Sequence, residues 1–591
     1  MPHKELQPFT RSAAALALWL LSGAADAFSV EFFPQDEVRP GLSGIGKSVF
    51  RGTAIDTFGV EIIGLERNRL RPGKNLVLAR LSGAGLEETG GIRGMSGSPV
   101  YSDGRLLGAV SYAWAFSKEP ICGITPVADM LEVMQRGLEP GVEDGEKAGF
   151  EEEKGGAGRQ SHPGSLEPLA TPLSLSGFSP TATRMLDEFM AEYGFATASG
   201  PAAGGQSGTG DASSMQPGAA LGVPFVSGDF SAVAIGTLTH RDGDRLVGFG
   251  HPLLELGAVD LPLSGARIHG VLPSRFASFK LGAAGAELGA LRQDRWAGVA
   301  GVVGARASVL PLALELSGTA DGERFSFELL RHDLLTPFLA RIVILSALEP
   351  AASLTGESSL IADATLYLEN GARVERANLY AGRGAVFDAA RELAEPLGPA
   401  LGGPFERIGV DSLELAVEVV EESRRAEIAE ARLAAAAASP GDVVSVRVLL
   451  RPHRQTAEEQ VLEVRIPRTA VSGPVEVRVG SGRSALAWEM ARRPDGFRPR
   501  NSEQLVRLLN RSARRDDLVV ELFRPEPAMS VDGRELPGLP PSAHAVLSGD
   551  TGSGRVAPVS GRVVARSKVR TRFALAGERT LPLEIRRRAA E

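Results

Sequence analysis

The sequence predicts a mainly β protein, and three observations carry that prediction. Glycine makes up 70 of the 591 residues, aromatic residues only 6%, and short apolar runs recur between Gly, Pro and Asp-Gly breakers at strand-like spacing. At 43% hydrophobic and 23% charged, a chain this long can bury several cores. The formal net charge of -8 provides no basic field for a phosphate backbone, which argues against a nucleic-acid partner. A single cysteine, Cys122, excludes an intrachain disulfide, a thiolate zinc cage and an iron-sulfur cluster held by one chain.

Each segment follows from its own pattern. Lys4 and Arg11 precede an apolar run from Ser12 to Leu21, and Ala25-Asp26-Ala27 supplies small residues for cleavage, so residues 1–27 read as a secretory signal. The mature chain is then expected in the periplasm or outside the cell, with no membrane span after cleavage. Residues 28–138 read as a β half with strands at Ile45 to Phe50, Val60 to Leu65, Asn75 to Leu81 and Leu106 to Ser111, closed by a helix opening at Thr125-Pro126. Residues 139–168 are an acidic, Gly-rich linker. A second β half spans 169–320, with a helix after Ser179-Pro180, a flexible loop at 198–218 and a hairpin about Asp242-Gly243-Asp244. Residues 321–439 read as an α/β segment in which Ala-rich, charged Glu421 to Ala438 forms a helical connector by propensity. Alternation in Val444 to Val448 and Val475 to Val479 makes 440–591 β-sandwich-like, interrupted by a helix from Ser502 to Ser512.

Chemistry concentrates in Gly91 to Tyr112. A serine nucleophile needs a tight turn that presents its hydroxyl and leaves backbone N–H groups free for an oxyanion, and Gly94-Met95-Ser96-Gly97-Ser98-Pro99 has that form. Ser96 would be the nucleophile and the amides of Gly94 and Ser96 the oxyanion hole. The bland alternative is a Gly/Ser turn with no reactivity. Of the eight histidines, His251 in Gly248-Phe249-Gly250-His251-Pro252 stands at a strand end beside a Gly turn, where an imidazole can be held rigidly.

These motifs together resemble the bacterial serine peptidases typified by stage IV sporulation protein B. The resemblance covers roughly Ser43 to Gly304 and implies a trypsin-like double β-barrel core, a Ser nucleophile at Ser96, a His base at His251, and protein or peptide substrates. The order is permuted, since Ser96 precedes His251, and a triad tolerates any chain order that keeps its geometry. Met95 stands where chymotrypsin-like enzymes carry the Asp that orders this loop, and no PDZ-like module is read before the Ser96 region. Asn75 to Gly90 contains no Asp, so the third member is open among Asp260, Asp294 and Asp56, each of which also reads as a turn or surface carboxylate. Ser–Lys pairs through Lys47 or Lys74 are the remaining base options.

The expected function is a secreted serine endopeptidase that needs no cofactor and processes itself at its exposed linkers. One rival is an exported, catalytically inactive scaffold whose C-terminal β region docks on an envelope partner. Another is a metal-dependent hydrolase on His251, Asp260 and His269.

Overall fold

The structure is a computed structural model that describes residues 30–587 except 115–116, 140–165, 201–214, 275–276, 320–321, 356, 404, 406–407, 512, 532–533 and 550–555. The expected signal, most of the acidic linker and the centre of the 198–218 loop lie outside the described residues.

The first β unit comprises β1 (Ser43–Arg51), β2 (Ala54–Arg71), β3 (Lys74–Ser82), the short helix α1 (Leu86–Thr89), β4 (Pro99–Ser102), β5 (Arg105–Trp114), β6 (Ile121–Pro126) and α2 (Val127–Met134). Its strands bond in the order β4-β1-β2-β3-β6-β5, and pairing of β4 with β5 closes the ring. Alternate residues of each strand point inward, so Phe58, Val60, Ile62, Val77, Ala79, Leu81, Val110 and Ile124 share one apolar interior. Where β4 leaves β5, the strand β7 (Leu166–Pro168) continues along the same edge, so the last residues assigned to the linker are ordered strand.

The second unit follows with β8 (Thr171–Ser176), α3 (Pro180–Ala191), β9 (Phe195–Ser199), β10 (Ala220–Gly228), β11 (Ser231–Asp242), β12 (Arg245–Gly248), β13 (Gly257–Leu272), β14 (Phe279–Arg295), β15 (Gly298–Val303), β16 (Val309–Ser317) and β17 (Glu323–Leu330). The order β10-β13-β14-β15-β12-β11 is closed by β10–β11, a second six-stranded ring. Helix α3 starts where Ser179-Pro180 predicts: the Ser179 hydroxyl accepts from Ala182 N–H and donates to Glu349.

Beyond this ring the sheet runs on. After α4 (Leu335–Thr355) come β18 (Ser359–Leu368), β19 (Arg373–Ala381), α5 (Ala385–Ala394), α6 (Leu397–Gly402) and β20 (Val410–Val420), with β20 parallel to β16 and β18 beside it. These strands and helices share one apolar cluster with the second ring. Helix α4 is by length and composition apolar enough to cross a membrane, which corrects the expectation that no stretch after the signal is, yet 67% of its apolar window is buried inside the protein. It is packed as a core helix, with Leu339, Ile342, Val343 and Leu348 fully covered.

One expectation is overturned here. Glu421 to Ala438 is no helical connector: Arg425–Leu433 is β21, with Ala426 and Ile428 buried and Glu427 exposed between them. The period-2 placement of those apolar residues outweighs the helix propensity of Ala, Glu and Arg. β21 joins a sheet with Val443–Pro452, Glu458–Arg465 and Ala574–Ala576; a second sheet holds Gly473–Ser481, Asp517–Val531 and Arg579–Ile585, and both line one valine-rich core. The expected helix near Ser502 is present at Ser502–Leu509, capped by Asn501.

Removal of the α3 cap by Ser179→Ala is expected to cost about 1 kcal/mol, read as a lower urea midpoint with an unchanged slope; an unchanged midpoint would show the cap to be idle.

Candidate active site

Ser96 lies on the turn between α1 and β4, and its shape is fixed by two glycines in left-handed conformation, Gly94 at φ 92 and Gly97 at φ 94. A Cβ on Gly97 would stand 2.0 Å from the Thr237 carbonyl oxygen, so only glycine lets the second ring's backbone come this close. The turn is held from both sides. Gly97 N–H donates to Val110 O (2.8 Å) on β5, while on β11 Thr237 N–H donates to Ser96 O (2.9 Å), Thr237 Oγ1 to Gly94 O (3.1 Å) and Thr239 Oγ1 to Gly97 O (2.7 Å).

Within the turn the amides divide into two sets. Those of Arg93, Met95, Gly97 and Ser98 donate to Ser278, Ile92, Val110 and Met95 carbonyls. Those of Gly94 and Ser96, the pair expected to form an oxyanion hole, donate to no group among the described residues. Met95, in the position of the missing loop aspartate, is fully buried in the first ring's core. The turn is thus anchored by packing where an ion pair was absent.

His251 follows β12 after a strained corner. Phe249 adopts a positive φ of 66, rare for a bulky side chain, and its ring fills the space over Gly236. Thr125 Oγ1 of β6 donates to Gly250 O (2.6 Å), so the first ring secures the His turn as the second secures the Ser turn. Nδ1 of His251 lies 2.7 Å from Pro252 O and carries the proton, which leaves Nε2 as an acceptor; it is buried without a hydrogen-bond partner. The Ser96 hydroxyl is likewise fully buried and unpartnered. Burial pushes the His251 pKa down to about 4, against the opposing pull of the Pro252 and Leu169 carbonyls, so the ring is neutral at pH 7 as a base must be. No hydrogen bond joins Ser96 to His251 in this structure.

The candidate carboxylates are placed elsewhere. Asp294 is buried, but its oxygens accept from the amides of Leu253 (2.8 Å), Leu254 (2.8 Å) and Leu256 (3.3 Å), and burial raises its pKa to about 6. It shapes the loop after His251 and does not touch the imidazole. Asp260 pairs with Arg292 and caps Ser308 N–H, and Asp56 is exposed. Two of the three carboxylates are therefore structural anchors, chosen by backbone amides and an arginine that sequence spacing does not reveal. His269 is exposed, and among the described residues no group of three or more His, Cys, Asp and Glu is placed to hold a metal ion.

The lysine options also resolve differently. Lys47 lies over the Tyr101 ring and Lys74 is paired with Asp129 and Glu132. Lys280 on β14, unremarked in the sequence, is fully buried with its ammonium on Ser48 Oγ (2.9 Å) and Thr237 Oγ1 (3.5 Å); Ser48 in turn accepts from Ser98 Oγ (2.9 Å). With no carboxylate beside it, burial lowers its pKa to about 7. The available signal was strand alternation, which puts Lys280 in phase with buried Ser278 and Gly282.

Residues 25–131 match the family model described as SpoIVB peptidase S55, a segment that contains the first ring and Ser96 and stops short of His251. No curated protein and no solved structure matches significantly. The match makes residues 25–131 similar to a serine-peptidase family, and within that class to the SpoIVB type.

Lys280 makes a pH prediction. Its folded pKa lies below its unfolded one, so from about pH 7 upward the unfolded chain binds the extra proton and stability rises with pH. Between pH 7 and 9 wild type should gain up to about 1.4 kcal/mol per pH unit, and Lys280→Met should lose that slope. Above pH 9 the buried Cys122 thiol, pushed up to about 12, opposes the trend. Parallel urea-stability profiles for the two proteins would refute the lowered pKa of Lys280.

Proposed function

We propose that the protein is an exported serine endopeptidase in which Ser96 is the nucleophile and His251 its general base. The observation that carries this reading is the pair of unengaged amides at Gly94 and Ser96, in a turn whose other amides are all bonded, beside an unpartnered hydroxyl. Two closed six-stranded rings, each holding the other's functional turn, support the trypsin-like double-barrel reading with permuted Ser and His.

In the reaction, His251 Nε2 takes the Ser96 proton as Oγ attacks the peptide carbonyl, and the Gly94 and Ser96 amides receive the oxyanion. The imidazolium then protonates the leaving amine, and water hydrolyses the acyl-enzyme with His251 again as base. The Pro252 carbonyl takes the place of a triad carboxylate in fixing the tautomer. Apo catalytic contacts are often long and tighten around substrate, consistent with Ser96 and His251 being unjoined here. Cleavage of its own linkers is the self-processing this activity allows.

A second reading, an inactive scaffold that meets an envelope partner through its C-terminal sheets, draws on the lack of any carboxylate at His251. Fluorophosphonate labelling separates the two. Folded wild type should label, while Ser96→Ala should lose labelling and His251→Ala slow it at least 100-fold; labelling that survives Ser96→Ala would refute Ser96 as the nucleophile, and its absence from folded wild type favours the scaffold.

A further inference from the structure

The edge of β5 that carries the Ser96 turn also carries a segment that runs as a bound peptide would. Val110 pairs with the turn, its oxygen accepting from Gly97 N–H and its amide donating to Ser98 O. The next residue, Ser111, accepts from Leu169 N–H at 2.9 Å, and β7 then pairs antiparallel with Tyr112 to Trp114. Extended peptides bind in this way, adding a strand to an open edge and sinking alternate side chains into pockets.

The side chain of Leu169 is sunk accordingly. It is 4% exposed and shares a cluster with Leu86, Ile92, Met95 and Val110, and its Cδ2 lies 3.5 Å from where a Cβ on Gly91 would stand. Its backbone carbonyl acts on the His251 ring. Two residues past Ala170, the Pro172 ring reaches within 3.1 Å of a Cβ position on Gly94. The chain from Leu169 to Pro172 therefore crosses the nucleophile turn, with the Leu169–Ala170 peptide between the two contacts. A cavity of about 220 Å³ continues alongside, bordered by Gly91, Arg93, Trp114 and Glu167.

We propose that Leu166–Leu169 occupies in cis the groove that receives substrate, and that the pocket around Leu169 selects a leucine-sized aliphatic side chain on the acyl side of the cleaved bond. The proposal rests on the serine-peptidase reading of Ser96. Ile92 and Met95, both fully buried, make that pocket apolar, so a charged side chain entering it would lose its hydration without a partner. An aliphatic side chain of the wrong size is rejected less severely, by roughly 10- to 200-fold.

Acetyl-Leu-Glu-Pro-leucinal, the segment's own sequence as an aldehyde, is the probe. Ser96 Oγ adds to its carbonyl carbon, the C=O π bond opens, and the hydroxyl proton passes through His251 to the new hemiacetal oxygen, so no other reactant is needed. In wild type the leucinal should slow fluorophosphonate labelling at concentrations at least tenfold below those of the matching alaninal and 100-fold below those of the aspartal. Leu169→Gly, which empties the pocket, should label at least tenfold faster than wild type. If that variant does not fold, the wild-type competition decides. Equal potency of the three aldehydes, with wild type labelled, overturns the groove assignment and leaves the peptidase intact. Absence of labelling from folded wild type and folded Leu169→Gly alike overturns both.

Discussion

The site depends on hydrogen bonds that run between the two rings. Thr237 and Thr239 of the second ring hold the carbonyls of Gly94, Ser96 and Gly97, and Thr125 of the first ring holds that of Gly250. Neither ring holds both Ser96 and His251. All these acceptors are backbone carbonyls, and the amides of Gly94 and Ser96 remain without a partner among the described residues.

That arrangement explains what replaces the salt bridge that usually orders a serine-peptidase loop. Met95 fills the core on one side, and Lys280, linked through Ser48 and Thr237, braces the other. Burying an amine whose polar partners are two hydroxyls, with the Phe50 ring 5.8 Å away, is costly, since no carboxylate offsets its desolvation.

The sequence made some of this legible and hid the rest for physical reasons. Ser96, Gly94 and His251 could be read because tight turns demand glycine, and glycine pattern is local. Lys280, Thr237 and Leu169 could not, because each acts from a strand distant in the chain whose register against the Ser turn no local pattern encodes. Asp260 and Asp294 were open as the third member, yet nearby amides and Arg292 claimed them. The strand at Arg425–Leu433 was hidden by helix-forming residues, although Ala426 and Ile428, buried on either side of exposed Glu427, are placed as in a sheet. Paired strands were visible in outline throughout, but closure of each sheet into a ring was not.

Ring closure bears on how so strand-rich a chain limits its open sheet edges. An open sheet presents a row of unpaired N–H and C=O groups to any passing chain, whereas a closed one has no such row. In the first ring the end of β5 beyond β4 is covered by β7. The same three residues that trace a peptide's path therefore also act as a guard against fibril-like growth. A protein that opened this edge to work would do so at the cost of a brief aggregation hazard.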